Sequence, residues 1–355
     1  MTTKKDDIMG LIAARQEDAG CLTFTYGSES RLGGAGVASD VTLAGGEFTL
    51  KVDEPATMPG GTNAGPNPLD LFCASLGTCQ EITYKLYATV MDIPLASVSA
   101  DVSAAINLSG FVGVGEKVGM SGIDVAIKLD APGATDEQLE QLKGAVDAHC
   151  PLVASISKPL ALTTEIVKKE PSAEPLAADA DIKDGVLAVV AAAKEDGEAL
   201  KMTYSSSSCL SGPGLRSEVT MPGGHTMTVD EPVTMPGGTN AGANPLDVFC
   251  ASFGTCQEIT YKYYAKVMDI PLSAVSCKVE APIDLGGLVG LADDAVGLKS
   301  MKGVVTLEST ASLEQLQQLK GAVDAHCPLV DTLKSATPVS LKWVRGGGAG
   351  AGSKK

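Results

Sequence analysis

The stretch Asn67-Pro-Leu-Asp-Leu-Phe-Cys-Ala-Ser-Leu-Gly-Thr-Cys79 reads as the opening of a buried helix, and it returns almost unchanged as Asn244 to Cys256. Asn67 suits a helix cap and Pro68 the first helical position, where a missing N–H costs nothing. Leu69, Phe72, Leu76, Thr83 and Leu86 then recur at helical spacing, which predicts a helix from Pro68 to about Val90, ending before Pro94. Around this stretch, 38 of 44 positions from Val52 to Leu95 match Val229 to Leu272, and Gln141 to Val153 equals Gln318 to Val330. The chain is therefore a tandem duplication.

At 355 residues it has room for about two domains, each able to bury a core. A net charge of −16 and a pI near 4.6, with no basic stripe, argue against nucleic acid or an anionic membrane as partner. No apolar run approaches the ~18 residues that read as a membrane span; the longest is Val186 to Ala193. The polar, mixed-charge start, Met1 to Asp7, resembles neither a secretory signal nor a transit peptide, so a cytoplasmic address is expected.

The nine cysteines are odd in number and too sparse for a disulfide scaffold. Cys73, Cys79, Cys250 and Cys256 lie in the duplicated stretch, and Cys150 and Cys327 lie in a second duplicated motif, His-Cys-Pro, 71 residues beyond Cys79 and Cys256. Cys21, Cys209 and Cys277 have no counterpart and read as small apolar residues.

The duplication divides the chain into a first domain (1–167), a linker rich in Glu, Pro, Ala and Asp (168–184), a second domain (185–345) and a Gly-rich tail (346–355). Each repeat opens with a short apolar helix, Ile8 to Ala14 and Val186 to Ala193. Hairpin-like strands such as Cys21 to Tyr26 and Glu47 to Val52 come next, then a Gly/Pro loop and the central helix. Strands Val98 to Asn107 and Ile123 to Leu129 follow. A helix opened by a capping box (Thr135 with Gln138, Ser312 with Gln315) then runs to about Ala148. The order describes an α+β fold, twice over.

Val-Asp-Glu-Pro, Gly-Gly-Thr-Asn-Ala-Gly, the Asn-Pro helix ending in Cys79, and His-Cys-Pro some seventy residues later together resemble the OsmC/Ohr family. The resemblance implies an intertwined α+β architecture, two long central helices wrapped by antiparallel sheets, with a site at each interface. Two such domains in one chain imply a fused pseudo-dimer, able to act as a monomer. A short flexible link holds one half at ~mM effective concentration for the other.

By the same resemblance, Cys79 and Cys256 attack an organic hydroperoxide, Cys150 and Cys327 resolve the sulfenic acid as a disulfide, and an external thiol or dithiol restores the pair. No bound cofactor and no metal is implied. Cys150, placed before Pro151 and an apolar run, also reads as a helix cap whose amides favour a thiolate. His149 and His326 either add positive charge there or are solvated helix ends.

The chain departs from the family's peroxidases in two respects. The acid that helps activate the thiolate is displaced by one residue to Asp70 and Asp247, which read either as polar partners of the thiols or as first-turn carboxylates. No arginine recurs at one place in both repeats: the four are Arg15, Arg31, Arg216 and Arg345, and the duplicated Lys85 and Lys262 are the substitutes at hand. These departures leave a second reading, a non-catalytic binding or scaffold protein on the same fold. Cys73 and Cys250, about 240° around the helix from the attacking sulfur, read as packing.

Overall fold

The computed structural model of the chain describes residues 4–18, 20–115, 117–172, 180–291 and 296–346. Residues 173–179 of the expected linker and 347–355 of the expected tail lie outside them. The first repeat gives α1 (Lys5–Glu17), β1 (Thr23–Leu32), β2 (Ser39–Leu43), β3 (Phe48–Val52), α2 (Pro68–Val90), β4 (Ser97–Asn107), β5 (Gly122–Asp130), α3 (Asp136–His149), α4 (Pro151–Ile156) and β6 (Leu162–Lys169). The second gives α5 (Ala180–Glu195), β7 (Lys201–Ser211), β8 (Ser217–Met221), β9 (His225–Val229), α6 (Pro245–Val267), β10 (Ala274–Asp284), β11 (Met301–Glu308), α7 (Leu313–His326), α8 (Pro328–Lys334) and β12 (Val339–Arg345). The fold is α+β.

Neither repeat keeps a sheet to itself. One six-stranded sheet runs β3-β2-β1-β10-β11-β6 and the other β12-β5-β4-β7-β8-β9. The longest ladders join the halves: β1 pairs antiparallel with β10 from Thr23↔Asp284 to Leu32↔Val275, and β4 with β7 from Ser97↔Ser211 to Asn107↔Lys201. Where antiparallel sheets were expected, both are mixed, because β6 and β12 each return from a helical pair to lie parallel to a strand of the other half, β11 and β5.

The linker is shorter than 168–184. Lys168 and Lys169 complete β6 against Leu307 and Glu308, and α5 has already begun at Ala180.

Between the sheets lie α2 and α6, which touch through Phe72 and Phe249, ring centroids 5.7 Å apart. Every residue from Pro68 to Tyr84 is buried, so α2 is enclosed all round rather than along one stripe. Gly77 explains how close the helix lies: a Cβ there would stand 3.1 Å from Val102, 3.2 Å from the Ser208 hydroxyl and 3.4 Å from Ala100.

Glu81, one turn on, is buried and accepts from Ser208 Oγ (2.8 Å), Ser217 Oγ (2.6 Å) and the Ala100 amide (3.0 Å). Glu258 repeats this with Ser30 (2.7 Å), Ser39 (2.6 Å) and the Cys277 amide (2.9 Å). Each carboxyl thus ties its central helix to two strands of the other half. Burial pushes both up to about 8.

Candidate functional site

The duplicated loop before each central helix is built around one aspartate. Asp53 accepts from the Glu54 amide (2.8 Å) and, through its other oxygen, from the Thr62 amide (2.9 Å), the Thr62 hydroxyl (2.6 Å) and the Ala64 amide (3.0 Å). Asn63 takes the left-handed conformation that Asn tolerates, φ 59°. Asn67 caps α2, accepting from the Leu69 amide at 2.8 Å, while its Nδ2 donates to Glu54 at 2.6 Å. Helix cap and glutamate are therefore positioned by one side chain. Asp230, Asn240, Asn244 and Glu231 reproduce the arrangement.

The glutamate so held serves the opposite half. Glu54 lines the hollow beside Cys256, and Glu231 the hollow beside Cys79. Burial raises both to about 8, well above an ordinary glutamate, so each is mainly protonated at neutral pH. Tyr204 shares the Cys256 hollow and Tyr26 the Cys79 hollow, both with hydroxyls pushed up by burial.

The sulfurs of the two duplicated motifs lie side by side. Cys79 Sγ and Cys150 Sγ stand 3.5 Å apart, and Cys256 and Cys327 repeat the distance. Both capping boxes are present, and α3 and α7 end at His149 and His326, so each second cysteine becomes the residue before a short new helix, α4 or α8.

Burial acts against charge on Cys150, but the Cys79 thiol, the Val153 amide, the Gln80 carboxamide and the Leu152 amide outweigh it and draw Cys150 below the usual thiol range. Cys79 is raised in return, first by its bond to Cys150 and then by burial. Cys327 and Cys256 divide in the same way. Access divides oppositely: Cys79 and Cys256 are 6% exposed and line the hollows, whereas Cys150 and Cys327 are 0% exposed.

Each hollow is small, about 20 Å³ beside Cys79 and 30 Å³ beside Cys256, room for a water or two. A Gly-rich loop of the other half roofs it: Leu285 and Leu288 over Cys79, Leu108 and Phe111 over Cys256. A tyrosine latches each roof, Tyr87 donating to the Leu288 carbonyl (2.8 Å) and Tyr264 to the Phe111 carbonyl (2.6 Å). His149 and His326 stack on these tyrosines at 5.1 Å, and each bonds through Nδ1 to the carbonyl four residues back. The histidines are braces in the wall, half-buried rather than solvated helix ends.

Asp70 and Asp247 are first-turn carboxylates of α2 and α6, one of the two readings of their positions, rather than partners of the thiols. Asp70 accepts from the Ser205 amide of β7 (2.8 Å) and Asp247 from the Gly27 amide of β1 (2.9 Å). Neither lines a cysteine hollow. Being in the first turn of a buried helix, each carboxylate points across to a strand of the other half; Asp70 raises Tyr204 and Glu54, groups of the Cys256 hollow, rather than joining Cys79.

The arginines are also engaged away from the sulfurs: Arg15 with Asp284 (2.6 Å), Arg31 with Glu308 (2.7 Å), Arg216 with Glu218 and Arg345 with Asp136. Lys85 donates to the Leu95 carbonyl, and neither it nor Lys262 lines a hollow. Cys73 is fully buried, its sulfur near the Tyr204 carbonyl, as packing requires.

The groups missed from the sequence are Glu54, Glu231, Tyr26 and Tyr204. Val-Asp-Glu-Pro carried a signal for the glutamates, and Thr25-Tyr26, repeated as Thr203-Tyr204, one for the tyrosines.

The OsmC-like protein family matches residues 61–165 and again 238–342, and the chain belongs to that family, with its domain present twice. Among solved structures, it is similar to the OsmC-like protein from Mycoplasma pneumoniae at 16% identity, over 37% of this chain and 88% of that one, with a TM-score of 0.30. No curated protein matches the chain. Among the described residues, no helix is long and apolar enough to cross a membrane.

Proposed function

We propose that the protein is a thiol-dependent peroxidase that reduces organic hydroperoxides, with two sites in a single-chain counterpart of an intertwined dimer. The observation that carries this reading is the 3.5 Å approach of a partly accessible and an inaccessible sulfur, made twice, each with a buried glutamate from the opposite half in the same hollow.

The pair ionises once, and proton exchange across the sulfur contact brings the negative charge to Cys79, the sulfur that faces the hollow. Its thiolate attacks the distal oxygen of the hydroperoxide. An S–O bond forms, the O–O bond breaks, and the departing alkoxide takes the Glu231 proton and leaves as an alcohol. Cys150 then attacks the sulfenic sulfur; its S–H bond breaks as the S–S bond forms, and the hydroxide that leaves takes that proton and departs as water. An external dithiol restores both thiols by exchange, itself becoming a disulfide. Cys256, Glu54 and Cys327 take the same parts in the other site.

Mass spectrometry after one equivalent of cumene hydroperoxide per site should find Cys79 joined to Cys150 and Cys256 joined to Cys327. Free thiols throughout, or random pairings, would remove the mechanism. One observation favours the rival reading of a non-catalytic binding or scaffold protein: no arginine lines either hollow among the described residues. That reading requires the variant lacking both Cys79 and Cys256 to keep its cellular role.

A further inference from the structure

The two hollows lead to different places. Beside the Cys79 hollow lies a second, apolar one of about 40 Å³, enclosed by Ile8, Leu11 and Ile12 of α1, Leu86 and Val90 of α2, and the roof residue Val289. Met235 and Leu288 line both hollows, so these two side chains form the partition between them. Methionine is unbranched with three rotatable bonds and moves aside at small cost. Leu288 belongs to the roof that must yield in any case, because the Cys79 hollow alone admits nothing larger than water.

In the second half, two of these wall positions carry larger residues. Tyr263 stands where the first half has Leu86, and Phe111 where it has Leu288, each 177 residues apart in the duplication. The Tyr263 hydroxyl donates to the Pro59 carbonyl at 2.8 Å, and its ring meets Phe111 edge-on at 5.9 Å. Both rings line the Cys256 hollow directly. Two positions that are aliphatic around the slot in the first half are thus aromatic in the second, while Ile8, Leu11 and Ile12 have the smaller Val186, Val189 and Val190 as counterparts.

We propose that the sites have different substrate ranges, with Leu86 and Tyr263 as the specificity-determining pair: the Cys79 site admits hydroperoxides with an unbranched alkyl tail, whose first few carbons pass Met235 into the slot under α1, and the Cys256 site admits compact ones. This rests on the peroxidase reading of the sulfurs. The slot itself is a property of the walls and is tested separately.

Two single-site proteins, Cys256→Ser and Cys79→Ser, are compared by their rates with decyl hydroperoxide relative to tert-butyl hydroperoxide. The ratio should be about tenfold or more higher in Cys256→Ser, where the Cys79 site remains, since each methylene placed in an apolar pocket is worth a comparable factor. Adding Leu86→Tyr to that protein should lower the ratio, and adding Tyr263→Leu to Cys79→Ser should raise it, so that one change fills space and the other makes it.

In parallel, 1-decanol should slow maleimide alkylation of Cys79 but not of Cys256 in the unsubstituted protein, and Leu86→Tyr should remove that protection. Equal ratios, or equal protection of the two thiols, would overturn the proposal even if both sites consume hydroperoxide. Selective protection of Cys79 without hydroperoxide consumption would uphold the slot and refute the peroxidase reading.

Discussion

The Cys79 and Cys256 sites agree where sulfur meets sulfur and part company at their rims. The S···S distance, the capping boxes, the asparagine-held glutamate and the latching tyrosine are the same in both. The strand ends beside the roofs differ. At the first, Asp284 closes β10 in an ion pair with Arg15 of α1; at the second, Asn107 closes β4 and donates to the Gly197 carbonyl beyond α5. Both rim contacts cross between the halves, as the latching tyrosines do, so what differs at the rim is the chemistry of the contact, an ion pair at one site and a neutral hydrogen bond at the other.

The sharpest way to break this comparison is to remove the sulfur chemistry. Cys79→Ser with Cys256→Ser should abolish hydroperoxide consumption, a loss of several orders of magnitude, while each single variant keeps the site it has not lost. A single variant as inactive as the double would mean that the sites do not work independently, and stopped-flow consumption assays would reveal it.

Next in size is the exchange of acids between halves. In Cys256→Ser, where only the Cys79 site remains, Glu231→Gln should slow the reaction by about a hundredfold, the weight of a general acid, and Glu54→Gln by far less. In Cys79→Ser the order should invert. The same order in both proteins would sink the assignment of each glutamate to the opposite half.

What was legible in the sequence was local. The helix Pro68–Val90 has the predicted bounds because its signals, Asn67 and Pro68 at one end and apolar periodicity after, lie within the element. The capping boxes were legible for the same reason, whereas the meeting of Cys79 with Cys150, 71 residues apart, was expected only from the family resemblance. The exchange of strands was not, since a strand's sequence does not name its neighbour. In β7 the run Ser205 to Ser208 shows no apolar alternation at all, and its inward Ser208 is explained only by Glu81. The first-turn place of Asp70 was legible but not the Ser205 amide it meets, because a position along a helix fixes a direction, not what stands there.

A smaller effect tests the buried carboxyls that tie the halves. Glu81→Ala should leave Ser208, Ser217 and the Ala100 amide without an acceptor, costing about 3 kcal/mol or more at ~1–3 kcal/mol per unsatisfied group. Glu54, Glu81, Glu231 and Glu258 all have folded pKa values raised to about 8 from an ordinary 4.5. Between those values the unfolded chain binds fewer protons than the folded one. Their stabilising contribution is therefore complete below about pH 4.5 and is lost as pH rises through 8. Glu308, drawn down to about 2 first by Arg31, acts in the opposite sense, its contribution present above about 4.5 and lost as pH falls through 2. Melting temperature should accordingly fall from mildly acidic to mildly alkaline pH, and less steeply in Glu81→Gln with Glu258→Gln. A flat profile in the parent protein would contradict the burial argument.

The smallest effect bears on whether the halves are separate folding units at all. Thr135→Ala and Ser312→Ala each remove one capping box, on α3 and α7 respectively, and each should cost about 1 kcal/mol. If each repeat folded alone, calorimetry would show two transitions, and each substitution would lower one of them. The ladders argue otherwise: β1 has its longest partner in β10 and β4 in β7, so neither repeat can open without exposing the strand edges and central helix of the other. Both substitutions should lower one common transition by the same amount. Two resolved transitions, or unequal shifts, would show that the cross-half ladders contribute less than the contacts within each repeat.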